Sequence, residues 1–294
     1  MVMYIIFGIQ KAFEVIYNIA ESVTKIGVIG EMLRRLFPPD PEPKPNPELP
    51  PSPIPTPENK PVRRFWQKFA EKDKVTIILS EYESSPTTEL GSKEAIRTAI
   101  NRHSVSMGNA KAMATLFSFF LKDSRFNFTP NVQGSESREA SECFTGSNLI
   151  LLGSEISNQV TREKIEDLRR KSAIIPYEVR ENQATNMIEI RHITNPEAIY
   201  VPQIDEDGSG TDYALIIKTK NPSDFDRGKE LIILAGANMY GVEAAARIIT
   251  EADQLREINE TISRNETENI WIIIKTEVKF FSPHRATIID SKTF

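Results

Sequence analysis

Between residues 38 and 62 the chain reads PPDPEPKPNPELPPSPIPTPENKPV, with proline at nearly every second position. Each pyrrolidine ring fixes φ and removes an N–H, and the residue before it is pushed out of the helical region. Neither helix nor sheet forms from such a run. The expected conformation is a polyproline II rod, about 78 Å long at ~3.1 Å per residue. Short P-x-x-P patterns are inevitable at this density, so we read the stretch as a stiff spacer rather than a docking site for a polyproline-reading domain. A spacer implies that something before it is held away from something after it. The expected division is therefore 1–37, 38–62 and 63–294.

Residues 1–37, MVMYIIFGIQKAFEVIYNIAESVTKIGVIGEMLRRLF, are apolar and helix-like. Lys11, Glu14, Glu21 and Lys25 recur at helical spacing on one side, with Ile9, Phe13, Ile16, Ile19 and Val23 on the other. The longest uncharged run, Met1 to Gln10, is short of the roughly 20 residues of a membrane span. A span would also bury Lys11 and Glu14 in hydrocarbon. No basic region precedes the apolar run and no small-residue cleavage site follows it, so it does not read as a secretory signal. Two occupants of its apolar side stay open: a partner protein or a second copy of the chain, and a membrane interface with Arg34 and Arg35 among the headgroups.

The 36 basic and 41 acidic side chains give a net charge of -5, without the basic excess of a nucleic-acid binder, and no nucleic acid is expected as partner. Cys143, the single cysteine, excludes an internal disulfide. His103, His192 and His284 are too scattered to make a zinc site with it, and no metal is expected. The expected location is cytoplasmic, peripheral to a membrane if residues 1–37 lie on one.

From Arg63 onward the pattern is that of an α/β domain. VTIILS (Val75–Ser80), NLILL (Asn148–Leu152) and ELIILA (Glu230–Ala235) are apolar runs of strand length, suited to strands buried on both faces. Ile270–Lys275 and Ala286–Asp290 complete the strand set. Helices are expected over Lys93–Arg102, Ala110–Lys122, Thr161–Lys171 and Val242–Glu257. Between Tyr177 and Lys220 the period drops to two, in IEIRHI, AIYV and DYALIIKT, which predicts antiparallel hairpins inserted among the α/β units. The expected architecture is a mainly parallel, Rossmann-like sheet covered on both faces.

Ligands of open α/β sheets bind where strand ends lead into helices, which singles out three loops. After the first strand, SEYESSPTTELGSKEA offers Ser84 and Ser85 to an anion and Glu81, Glu83 and Glu89 as acid, base or ribose ligand, although three glutamates oppose phosphate. After the second strand, Gly153 permits a tight turn, Ser157 and Asn158 stand at a helix start that attracts anions, and Glu155 is a further carboxylate. After the third strand comes Gly236-Ala-Asn238-Met-Tyr240-Gly241. Its G-x-x-x-x-G spacing lacks the Lys and Ser/Thr of a P-loop, since Val242 and Glu243 stand there. Each set also fits plain capping and turn roles. The run Asp205-Glu-Asp207-Gly-Ser-Gly-Thr-Asp212 superficially suggests a calcium loop but lacks the bidentate glutamate, and a hairpin turn is expected. Sequons at Asn127, Asn259 and Asn265 matter only in a glycosylating compartment. No G-x-S-x-G elbow is present, and no histidine neighbours Cys143 in sequence.

The segments NLILLGSEISN, DYALIIKTKNPSDFDRGKELIILAGANMYGVEAAARIIT and NIWIIIKTEVK, spanning 148–280, resemble the Rossmann-like module of archaeal surface-layer-type proteins and of uncharacterised bacterial proteins. Gly153, Asn158, Asn221, Pro222, Gly236, Gly241, Ala244 and Ala245 carry the resemblance, while Ser154 and Glu155 depart from its Gly-Pro element. It implies a fold rather than an activity. The expectation is a tethered, non-catalytic α/β module that binds a ligand or a protein and needs no cofactor. The alternative is an effector enzyme cleaving nucleotides or NAD, of the TIR-like or deoxyribosyltransferase-like kind. There one of Glu81, Glu83, Glu89 or Glu155 would act at the ribosyl carbon.

Overall fold

Uninterrupted apolar runs become the strands buried on both faces. In the computed structural model, VTIIL forms β1 (Val75–Leu79), NLILL forms β5 (Asn148–Leu152) and ELIILAG forms β11 (Glu230–Gly236), every residue of each buried. The structure describes residues 65–69, 75–82, 104–122, 130–134, 146–171, 175–224, 227–265 and 267–294, all within the compact unit Pro57–Phe294. The segments 1–37 and 38–62 and the helix expected over Lys93–Arg102 lie outside the described residues.

Helix α1 (65–69) opens the described chain. After β1 come β2 (Glu81–Tyr82), β3 (Ser104–Val105), α2 (Met107–Lys122) and β4 (Pro130–Gly134). Then β5 leads into α3 (Gln159–Arg170), β6 (Tyr177–Asn182), β7 (Met187–His192), β8 (Ile199–Tyr200), β9 (Gln203–Ile204) and β10 (Gly210–Lys220). Finally β11 is followed by α4 (Met239–Ile248), α5 (Ala252–Asn265), β12 (Ile270–Lys279) and β13 (Ser282–Thr293).

The protein is α/β with a mixed central sheet of order β13-β12-β10-β11-β5-β1-β4, and β9 pairs with β10. The ladders β4–β1, β1–β5 and β5–β11 are parallel; β11–β10, β10–β12 and β12–β13 are antiparallel. Most strands thus point one way, with β10 and β13 reversed. The parallel half departs from chain order between β1 and β5, because β4 sits outside β1; this is a topological switch point. A separate antiparallel sheet, β6-β7-β8, is the expected insertion.

Two expectations need correction. The segment DYALIIKT is not an inserted hairpin: β10 runs through the middle of the main sheet between β11 and β12. Its continuous Ala214-Leu-Ile-Ile217 feeds both faces, since Ala214 and Ile216 join one core and Leu215 and Ile217 the other. The helix expected over Val242–Glu257 is two helices. At the break the Thr250 hydroxyl donates to the Ala246 and Arg247 carbonyls at 2.8 and 3.0 Å, competing with helical N–H donors. The Ile249 carbonyl turns out to accept from Trp66 Nε1 at 2.7 Å.

Helices α1, α2, α4 and α5 cover one face of the sheet. Trp66 anchors this layer, edge-on to Phe65, Phe69 and Phe120 with centroids 5.2, 5.1 and 5.1 Å away. Helix α3 and the small sheet cover the other face through Val160, Ile165, Leu168, Tyr177, Val179 and Ile190. Burying each such aliphatic side chain contributes about 1.5–3 kcal/mol. One edge of the sheet is β13, whose pairing with β12 is interrupted between Ile273/Ile274 and between Glu277/Val278. Such irregularities, with Pro283, discourage a further strand from adding there.

The turn joining β12 and β13 is Phe280-Phe281, with φ of 49° and 60°. No helix among the described residues is long and apolar enough to cross a membrane.

Candidate functional site

The carboxyl ends of β1, β5 and β11, with the switch point between the first two, are where the fold would place a ligand. After β1, Ser80 is fully buried. Its N–H and hydroxyl both donate to the Leu152 carbonyl, at 3.1 and 3.3 Å. The Asn109 side-chain amide, from the first turn of α2, donates to the same hydroxyl. Glycine is required at 153, where φ is 112° and a Cβ would collide with Ser80 Oγ. Asn158 completes the junction. Its Oδ1 caps α3 by accepting from Thr161 N–H at 3.0 Å, and its Nδ2 donates to the Leu152 carbonyl at 3.0 Å. Ser157 donates back to the Ser154 carbonyl. Among the described residues, Ser80, Asn109, Asn158 and the Leu152 carbonyl thus bond to one another at the switch point.

Glu155 is drawn sideways rather than into this junction. Its carboxylate accepts from Val179 N–H at 3.2 Å and lies 3.6 Å from Arg169, strapping the strand-end loop to β6. Burial raises its pKa, and the Arg169 charge opposes that rise.

The third loop is occupied from within. Asn238 caps α4, its Oδ1 accepting from Met239 N–H at 2.7 Å. The carboxylate of Asp212, fully buried on β10, reaches across to the start of this helix. One oxygen accepts from Gly241 N–H at 2.6 Å and the other from Tyr213 N–H at 2.7 Å, with further backbone bonds from Asn238 and Tyr240. A helix N-terminus is where a phosphate would be held; here a side chain of the same chain holds that position. Burial pushes the Asp212 pKa up to about 6 despite these amides. The backbone also closes in, since a Cβ at Gly241 would strike the Tyr213 carbonyl and one at Gly108 the Met239 carbonyl. Tyr240 is buried; burial raises its pKa, with the Asp212 charge adding to the rise.

The fold thus brings together Gly153, Ser157 and Asn158 on one side, and Gly236, Asn238, Tyr240 and Gly241 on the other. Asn221 and Pro222 sit at the opposite end, in the turn between β10 and β11, where the Pro222 carbonyl accepts from Lys171 at 2.7 Å. Glu81 is on β2, paired through the backbone with Val105. Glu83, Ser84, Ser85, Glu89 and Cys143 lie outside the described residues. The 205–209 turn closes on itself between β9 and β10 as a hairpin turn, through Gly208 N–H to the Asp205 carbonyl. His192 Nδ1 accepts from the Thr194 and Asn195 N–H groups, a turn-stabilising role. Among the described residues no three His, Cys, Asp or Glu side chains cluster to hold a metal.

The sequence reading missed Asp212 because its role depends on β10 entering the main sheet beside β11. Its signal was present as an acid two residues before the apolar run Ala214–Ile217, which is buried on both faces. The chain matches no protein-family model, no curated protein and no solved structure.

Proposed function

We propose that the chain is a tethered, non-catalytic α/β module that works by docking to another protein, held off a membrane surface or a partner by its proline-rich spacer. In this reading the protein is cytoplasmic, residues 1–37 supply the attachment, and the parallel half of the sheet, with its switch point, is a Rossmann-like scaffold. The observation that supports it best is Asp212 seated in the amide cradle of α4. A phosphate approaching there meets a buried carboxylate instead of free N–H donors. The engagement of Glu155 with Val179 and Arg169 points the same way, since it occupies one of the four carboxylates offered for a ribosyl-cleaving reaction.

The test is thermal melting of the full chain with ATP, NAD and deoxynucleosides, alongside chromatography for released base. The expected result is no shift and no release. A ligand at one hundred times its Kd adds about 2.7 kcal/mol of stability. A shift with base release would replace this reading by the nucleotide-cleaving enzyme, and a shift without release by a small-molecule sensor.

A further inference from the structure

We propose that the Phe280-Phe281 tip is a docking knob for a partner protein offering an apolar pocket rimmed by lysine and arginine. This deepens the interaction-module reading, on which it rests, by naming the surface and the chemistry of what it meets. Two independent penalties converge on the tip. Phe280 and Phe281 are 82% and 55% exposed, so the Phe280 ring above all gains little from the fold. Both also adopt left-handed backbone, with φ of 49° and 60°, where a two-residue hairpin turn favours Asn and Gly over bulky side chains. A pair of exposed aromatics held in a disfavoured conformation points to a use outside the folded chain.

The tip is braced. Phe281 N–H donates to the Gly208 carbonyl at 3.0 Å, and the Phe281 ring lies over Gly208, where a Cβ would collide with it. Phe281 thus fastens the hairpin to the 205–209 turn and leaves Phe280 projecting. That turn also sets the charge around the knob. Asp205, Glu206 and Asp207 are exposed on it and outnumber Lys279, while Arg285 stands opposite Glu277 across the ladder. An acidic rim disfavours the anionic surface of a cytoplasmic membrane leaflet. It also disfavours a second copy meeting tip to tip, since like charges would face each other. A basic rim around an apolar pocket is the complement.

The experiment places p-benzoylphenylalanine at Phe280 in the full chain and irradiates cells of the source organism, mapping adducts by mass spectrometry. The expected result is a discrete protein adduct at apolar residues flanked by Lys or Arg. Adding Asp205→Asn, Glu206→Gln and Asp207→Asn together should weaken it about tenfold. No adduct, an adduct to lipid or to another copy, or one indifferent to these substitutions would overturn the proposal. Phe280→Asn supplies a second readout. Its melting temperature should equal or exceed that of the wild type, because Asn accepts the left-handed conformation; a fall would make Phe280 a structural residue and end the proposal. Base release from nucleotides would overturn the functional reading by a separate assay, whereas a missing adduct without turnover removes only the knob.

Discussion

Strand β10 buries Asp212 near its start and Lys218 near its end, and the two ends treat their charges by different means. Asp212 has backbone amides around it, from its neighbour Tyr213 on β10 and from the start of α4. Lys218 has a side-chain partner: its Nζ lies 2.6 Å from Glu230, with Glu268 at 3.9 Å and the Phe65 ring centroid at 5.8 Å. Amide dipoles offset the charge of an acid without adding a second ion to the interior. An ion pair obliges two groups to be desolvated together, and either one stranded is expensive. The difference teaches where each end is tolerant. The end of the sheet where β1, β5 and β11 finish is organised around a single titratable group, the end where they begin around a pair that stands or falls jointly.

Breaking the pair should have the largest effect. Lys218→Ala leaves Glu230 buried without its partner and should cost about 3–5 kcal/mol in urea unfolding, while Lys218→Met with Glu230→Met should recover most of the loss. A double variant as unstable as the single one would mean that the pair contributes through packing rather than charge. Next comes the pH dependence of Asp212. Its folded value of about 6 lies above the unfolded 3.8. Its stabilising contribution is therefore fully present below about pH 4 and is lost as pH rises through about 6, a decline of about 3 kcal/mol. Asp212→Asn should flatten stability over that window; an unchanged slope would assign it to other groups.

Those two effects also show what was legible in the sequence. Uninterrupted runs such as VTIIL, NLILL and ELIILA announce strands buried on both faces, and the 177–220 alternation announces inserted antiparallel hairpins, which β6, β7 and β8 form and β10 does not. What stayed hidden was pairing. Nothing local to DYALIIKT says that it inserts beside β11, and only that insertion carries Asp212 to the α4 N-terminus and Lys218 to Glu230. The G-x-x-x-x-G segment joins β11 to α4, and the carboxylate that meets its amides comes from another strand. The break at Thr250 shows only in the fold, where its hydroxyl donates to the Ala246 and Arg247 carbonyls and the Ile249 carbonyl accepts from Trp66 Nε1.

Smaller effects sharpen the picture at the carboxyl end. Asn158→Ala removes the α3 cap and a donor to the Leu152 carbonyl and should cost about 1–2 kcal/mol in the same unfolding assay. A loss below a few tenths would mean that water replaces the side chain and the switch point is more open than its bonds imply. The smallest expected effect is that of inorganic phosphate, which should leave the melting temperature unchanged because Asp212 already fills the cradle. A rise in melting temperature with phosphate would erase the distinction between the two ends.

The placement of Trp66 has a mechanical consequence. Residues 65–69 directly follow the proline-rich segment in the chain, and Phe65, Trp66 and Phe69 are buried in the core with the indole bonded to the Ile249 carbonyl. Tension applied through the first sixty residues therefore enters the domain at an aromatic anchor rather than at a frayed end. To give way under pull, the chain must extract an indole and two phenyl rings before the sheet is loaded at all. A protein pulled from its amino terminus would yield at this plug first, with the strands behind it still paired.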